Sequence, residues 1–293
     1  MPHDFAFATY AEIPTLYRAD QQVADRLTAR GFTVEALPWD SPAVDWAGYR
    51  AVVIRSTWDY FDKPAAFAAW LDQLERLGVP VLNPVALVRW NMVKTYLRQL
   101  EQHGVRIVPT AWVEQGSTPD LAALIDSRGW GDVLLKPTIS GGAIGIHKVP
   151  AGTAAQHQRT LHQMAQAGAV MVQPLLREIH DGEISILFAD GVYTHSVRKY
   201  PAADNIFVQE IYGGRAEPYQ PEPALIEQAR TLLETARTLT GVDGIAYARV
   251  DGLLLGGQFH LMELEVIEPY LFLDDFPAAA DAFAQALITR SQR

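Results

Sequence analysis

Apolar positions along this chain fall into two spacings. Short dense runs at residues 5–10, 32–37, 49–55 and 79–82 read as strands. The run YRAVVIR at 49–55 is nearly continuous in apolar residues, as in a strand buried on both faces. Residues 18–30 and 64–77 between them carry helical spacing. Gly31 is placed to end the first; the second has Pro64 at its start and Gly78 after its end. Alternating strands and helices predict a parallel α/β unit over residues 1–82.

Beyond it the pattern predicts a helix at 91–101 carrying Lys94, a strand at 106–113 and a short helix at 119–127. A strand at 133–136 ends in Lys136. A small-residue loop, Ser140-Gly141-Gly142-Ala143-Ile144-Gly145, leads to a return strand at 146–149. A helix at 153–167 and a strand at 170–173 follow. Residues 183–188 and 192–199 form a hairpin about Asp190-Gly191. Residues 200–218, with Pro201, Asn205, Gly213, Gly214 and Arg215, suit a mobile covering loop. Helices at 221–240 and 276–289 flank two apolar strands within 247–273 that turn at Gly256-Gly257.

Composition narrows the classes. With 293 residues the chain is long enough for two or three subdomains, and 49% hydrophobic with 20% charged residues is a globular balance. A net charge of −10 argues against a general nucleic-acid or anionic-membrane partner, but not against a nucleotide. The absence of cysteine excludes disulfides, thiolate nucleophiles and Cys-ligated metals. The first residues lack a secretory pattern and no stretch approaches a membrane span, so a cytoplasmic protein is expected.

The chemistry concentrates in the last hairpin. Asp251, Glu263 and Glu265 are carboxylates inside apolar runs. Glu263 and Glu265, two apart, share one strand face; Met262, Leu264 and Val266 are expected on the other, packing the core. Arg249 and Asp251 likewise share a face. Carboxylates held close repel unless a cation neutralises them, and an all-oxygen set suits Mg²⁺ better than zinc. A two-residue Gly-Gly loop pairs Asp251 with Met262; placing Asp251 beside Glu263 needs a longer odd loop or a bulge. The alternative is a strand whose acids face solvent.

Other candidates carry their own alternatives. The Ser140–Gly145 loop could bring backbone N–H groups to phosphate, or be an ordinary turn; it matches neither the P-loop nor the Rossmann pattern. The run Arg55-Ser56-Thr57-Trp58-Asp59-Tyr60 follows a strand, where parallel α/β units bind ligands; otherwise it is a polar loop covering the core. Arg198 and Lys199 close a strand as site residues or as a solvated end. His147, His180, His195 and His260 lack metal-ligand spacing and read as structural or surface residues.

The segments LLKPTISGGAIGIHKV, DGEISILF and YARVD…MELE, in that order, resemble the ATP-grasp superfamily, over about residues 85–275. They look like the D-alanine–D-alanine ligase pattern of a lysine before a Gly/Ser loop, a Gly-x-Glu strand, and an Arg-x-Asp followed by Glu-x-Asn. That implies a mixed α/β fold: a pre-ATP-grasp α/β domain at 1–82, a central subdomain at 83–173 with the phosphate loop, and a C-terminal subdomain at 174–293 with the metal site, the last two clamping ATP.

The resemblance implies that Lys94 and Lys136 contact ATP phosphates, with Ser140, Gly141, Gly142 and Gly145 folded over them. Gln173, Leu175 and Leu176 would meet adenine through backbone groups, and Glu183 the ribose. Asp251, Glu263 and Glu265 would hold two Mg²⁺ ions, and Arg249 would stabilise charge on the reacting oxygens. Arg55, Thr57, Trp58, Asp59, Tyr60, Arg198, Lys199 and Arg215 are the expected acceptor side. The partner expected is a small amino-acid-like substrate, with no nucleic acid or membrane; a homodimer is a family-level expectation.

Glu265 stands where most of that superfamily has Asn, and the usual following Pro-Gly is absent. IRSTWDY, NPVALVRWNMVKTYL and MELEVIEPYLFL are similar to an O-ureido-serine-type cyclo-ligase subgroup, which also carries Glu there. The activity implied is ATP-dependent activation of a carboxylate or carbonyl group, followed by C–N bond formation within one molecule. The rivals are an intermolecular carboxylate–amine ligase and a non-catalytic ATP-binding scaffold.

Overall fold

The computed structural model describes residues 3–292. The first unit holds β1 (His3–Thr9), α1 (Arg18–Thr28), β2 (Val34–Pro38), β3 (Tyr49–Ile54), α2 (Pro64–Leu77) and β4 (Val81–Leu82). Its sheet is parallel throughout, in the order β2-β1-β3-β4. Residues 51–54 of β3 are fully buried, as its unbroken apolar run requires. Gly78 ends α2 in the left-handed conformation, at φ 67°.

Next come α3 (Val85–Asn91) and α4 (Tyr96–Gln102). The single helix expected at 91–101 is corrected: the chain breaks between them because both flanks are tied elsewhere. Asn91 Nδ2 donates to Leu264 O at 2.8 Å, and the Lys94 amide donates to Thr138 O at 2.7 Å. The break sets Lys94 against the second sheet. That sheet contains β5 (Ala111–Val113), β6 (Val133–Pro137), β7 (His147–Val149) and β8 (Val170–Pro174), with α5 (Leu121–Arg128) and α6 (Ala154–Ala167) packed on it. Its order is β5-β8-β6-β7, all antiparallel. The strand expected at 106–113 is ordered as a ladder only from 111; Ile107 instead bridges to Leu261.

The third sheet is antiparallel, in the order β11-β10-β9-β12-β13. It is built from β9 (Glu183–Ala189), β10 (Val192–Tyr200), β11 (Arg215–Pro218), β12 (Tyr247–Leu255) and β13 (Gln258–Glu265), and α7 (Pro223–Thr240) covers its core face. The covering loop expected at 200–218 thus ends as an edge strand. The last helix, α8 (Pro277–Arg290), returns to the first unit. Phe283 and Leu287 pack with Phe5, Phe7, Val23 and Leu27, and Arg30 pairs with Asp281 at 2.9 Å.

One side chain fixes the first unit against the third sheet. The Tyr247 hydroxyl lies 2.7 Å from Ile54 O, 2.8 Å from Leu82 O and 3.1 Å from Ile267 O. The base of β12 therefore sits at the carboxyl ends of β3 and β4, where parallel α/β units place ligands. Among the described residues no helix is long and apolar enough to cross a membrane.

Candidate active site

The register of the β12–β13 hairpin decides the site. Its loop has only two residues, Gly256 and Gly257, yet Asp251 pairs with Glu263 and Arg249 with Glu265. A bulge beside Gly252 supplies the shift. It also corrects the expected core face: Leu261 and Leu264 are buried in the core, while Met262 turns to the cavity.

The cavity is about 1000 Å³ and lies between the second and third sheets and the first unit. Lys94, Lys136, Ser140, Gly141 and Gly142 line one part; Arg249, Asp251, Glu263, Glu265, Lys199 and Glu183 line another. Gln173, Leu175, Leu176, Met171, Leu253 and Met262 form an apolar end suited to a flat ring.

Charged groups inside it form an alternating chain. Lys199 pairs with Glu183, and its Nζ is 3.2 Å from Asp251 Oδ2. Arg249 Nε is 3.0 Å from each Asp251 oxygen, and its Nη2 pairs with Glu265. Ser185 Oγ donates to Asp251 Oδ1 at 2.6 Å. Burial raises the Asp251 carboxyl, but Arg249 and Lys199 outweigh that and bring it down to about 2. Burial raises Glu265 to about 7 despite Arg249. Burial also pushes Glu183 up and Lys136 down.

On the phosphate side, Lys94 Nζ is 2.5 Å from Ser140 O and 3.1 Å from Glu263 Oε1. The Lys136 ammonium forms no hydrogen bond or ion pair with another described residue, while its backbone lies in the β6–β8 ladder. The glycines have a steric reason: a Cβ on Gly141 would come within 2.6 Å of Phe61 Cδ1. Gly145 has φ 74° and backs onto Pro137 outside the cavity wall. The Gln173 side chain is buried against Thr110, so only its backbone is available.

The donor set of Glu263 and Glu265 fits Mg²⁺, being hard oxygens beside the lysines. Among the described residues no three carboxylates converge as a ready metal cage. Each is ion-paired instead: Glu263 with Lys94, Glu265 and Asp251 with Arg249. Holding a metal there requires these carboxylates to exchange partners.

The acceptor side is redrawn. Arg55 is 4% exposed and lies outside the cavity; its Nε is 2.8 Å from Asp20 Oδ1. Thr57 is fully buried, and Asp59 accepts from Trp39 Nε1 at 2.7 Å and pairs with Lys63. Trp58 and Tyr60 do line the cavity. Arg198 follows the two-residue strand period away from Lys199 and stacks on Tyr219, 4.1 Å from the ring centre. Arg215 lines the rim, 4.2 Å from the centre of the Tyr200 ring. The sequence reading missed Phe61, Met262, Glu268 and the tyrosines at 10, 17 and 270, all of which line the cavity. Glu268, in the run VIEPY after the acidic pair, carried the only local signal, a carboxylate among apolar residues.

Residues 5–83 match the family model described as D-cycloserine synthetase DcsG, N-terminal domain. The chain is 29% identical to the cycloserine biosynthesis protein DcsG of Streptomyces lavendulae over 274 residues, 89% of each. It is 32% identical to a glutathione synthetase of Prochlorococcus marinus (strain MIT 9313) over 257 residues, 80% of this chain and 76% of that one. The crystal structure of D-cycloserine synthetase DcsG superposes with a TM-score of 0.88 at 26% identity, covering 98% of this chain and 99% of that one. The ATP-grasp ligase PsnB, complexed with a minimal precursor, shares the fold at a TM-score of 0.65 and 18% identity, over 99% of this chain and 100% of that one.

Proposed function

The chain belongs to the ATP-grasp ligases, ATP-dependent enzymes that form carbon–nitrogen bonds, and on that premise we propose that it activates a carboxylate or carbonyl oxygen of a small amino-acid-like substrate and closes a C–N bond within that same molecule. The observation that carries this reading is the meeting of two groups across one cavity: Lys94, Lys136 and the Gly141–Gly142 backbone face Arg249, Asp251, Glu263 and Glu265. Intramolecular closure is supported by the likeness to a D-cycloserine synthetase over nearly the whole chain, first unit included.

When bound, ATP and Mg²⁺ supply the phosphoryl group that turns the substrate oxygen into a leaving group, and the charge neutralisation that transfer requires. The protein's part is placement. Lys136, its pKa drawn down by burial and its ammonium without a hydrogen-bond or ion-pair partner among the described residues, is set to meet phosphate oxygens. Lys94 can do the same once released from Glu263. The backbone of Gln173, Leu175 and Leu176 flanks the apolar end and would meet adenine. Glu183 would reach the ribose by loosening its pair with Lys199. Glu263, Glu265 and Asp251 would hold the metal, two ions being expected. Arg249, held on the cavity face by Asp251 and Glu265 before the metal arrives, offers positive charge to the reacting oxygen. Nitrogen attack then breaks the C–O bond, phosphate departs and nitrogen loses its proton. Arg215 and residues 206–212 line the rim, as a cover excluding water would.

The test is Mg²⁺-dependent ADP release against a panel of amino acids, dipeptides and O-ureidoserine enantiomers, with product mass determined. A product whose mass derives from one substrate molecule supports closure. A product condensed from two compounds contradicts it in favour of a linear ligase. ADP release stimulated by none of them leaves a nucleotide-binding protein.

A further inference from the structure

Residues 266–271 belong to no helix or strand, yet each of their six carbonyls is fixed by a side chain. Asn83 Nδ2 donates to Val266 O at 2.8 Å, and the Tyr247 hydroxyl lies 3.1 Å from Ile267 O. Trp58 Nε1 reaches Glu268 O at 3.4 Å, and Arg55 Nη2 reaches Pro269 O at 2.6 Å. Arg249 Nη1 donates to Tyr270 O at 3.1 Å and His195 Nε2 to Leu271 O at 2.8 Å. The donors come from the first unit and the third sheet together. A segment met by side chains at six successive carbonyls has little freedom, and what it displays to the cavity is Glu268 and Tyr270.

The Glu268 carboxylate takes no hydrogen bond or ion pair from any other described residue. Every other cavity carboxylate described above has a cationic partner. Burial, then Glu265 and Glu263, push the Glu268 carboxyl up to about 8; Lys94 draws it down but is ion-paired with Glu263, and a cation placed directly on Glu268 would restore its charged form. A continuous aromatic wall lines the same cavity and meets this segment at Trp58, against Glu268 O, and at Tyr270. Tyr10 lies 6.4 Å from Trp58, Trp58 lies 5.1 Å from Tyr17, Tyr17 lies 5.5 Å from Tyr270, and Tyr270 lies 4.7 Å from Phe272, between ring centres. A carboxylate without an ion pair, on a held segment in a cavity walled by aromatic rings, matches an organic ammonium ion, which gains from both charge and ring faces. Mg²⁺ demands a shell of oxygens, which a wall of rings does not offer.

We propose that Glu268 binds the ammonium group of the amino-acid-like substrate, backed by the Trp58–Tyr17–Tyr270 wall, and selects free primary amines. The inference rests on the reading of the substrate given above and adds which group is recognised, and by which residue. Arg55, outside the cavity, acts here as a positioning residue through Pro269 O.

The test compares wild type and Glu268→Gln with O-ureidoserine, serine and alanine, each enantiomer as free amine and as N-acetyl form, with Mg²⁺ titrated for each protein. Wild type is expected to prefer the free amines. Glu268→Gln should raise their KM by at least about 30-fold and narrow the gap to the acetylated forms. KM for ATP and the Mg²⁺ midpoint should stay in place. An unchanged amine KM, or acetylated compounds serving wild type equally well, overturns the proposal. A shifted Mg²⁺ midpoint also overturns it, by making Glu268 a metal ligand. If no compound stimulates ADP release, calorimetry with the same compounds and ADP decides: weaker amine binding to the variant supports the proposal, equal or no binding overturns it. A requirement for two compounds sinks the closure reading alone and leaves the Glu268 comparison intact.

Discussion

Arg249 and Asp251 stand two residues apart on β12 and form a forked pair, with Arg249 Nε 3.0 Å from both carboxylate oxygens and Nη2 2.9 Å from Oδ2. The two-residue spacing puts both on the cavity face, and the fork fixes the guanidinium before any substrate arrives. Arg249→Ala should lower kcat by about 10²–10³-fold, the usual loss when a preorganised charge donor is removed. Steady-state ADP release measures it; near-normal kcat would remove Arg249 from the reaction. Arg249→Lys keeps the charge but not the fork, and should recover only part of the loss.

Glu263 differs from Asp251 in its surroundings. Its side chain is 35% exposed and its one ion pair among the described residues is with Lys94, so it can change partners without disturbing the core. Glu263→Gln is expected to leave the melting temperature within a few degrees and to raise the Mg²⁺ concentration needed for half-maximal activity. An unchanged Mg²⁺ titration would speak against Glu263 as a ligand.

The Phe61 ring occupies the space that a side chain on Gly141 would need. Gly141→Ala should displace the phosphate loop and weaken ATP binding about 10-fold. Phe61→Ala in the same chain should restore much of the loss, and the double-mutant cycle measures the coupling. Additive effects would mean that Phe61 does not set the loop's position.

His195 is buried against Phe276, 4.4 Å between ring centres, and burial lowers it from 6.5 to about 4. Between those values the unfolded chain binds more protons than the folded one. The group's contribution is therefore complete above pH 6.5 and is lost as pH falls toward 4, amounting to about 3 kcal/mol. Wild type should lose more stability than His195→Gln between pH 7 and pH 4.5 in denaturant melts. Parallel curves for the two proteins would contradict this.

What the sequence makes legible is what is local. The two-residue period places Glu263 with Glu265 and Arg249 with Asp251, and the helix punctuation of 64–77 is reproduced to the residue. What it hides is non-local or one residue wide. The bulge beside Gly252 leaves no mark beyond a glycine, yet it sends Met262 to the cavity and brings Asp251 to Glu263. Arg55 looks like a ligand contact because it follows a strand; its partner Asp20 lies 35 residues earlier, on a helix that only the fold brings near. Arg198 and Lys199 are neighbours in sequence and opposites on a strand. The clamp on residues 266–271 draws its donors from Arg55, Trp58, Asn83, His195, Arg249 and Tyr247, which no local pattern connects.

In the proposed reaction the substrate oxygen is phosphorylated in the cavity before a nitrogen replaces it. The most direct measurement places an isotopic oxygen label in the carboxylate or carbonyl group of a substrate that stimulates ADP release, and follows it by mass spectrometry of the released phosphate. One labelled oxygen is expected in each phosphate, in step with product. Unlabelled phosphate formed alongside product would mean that ATP is cleaved without activating that oxygen, and would rule the phosphorylation step out.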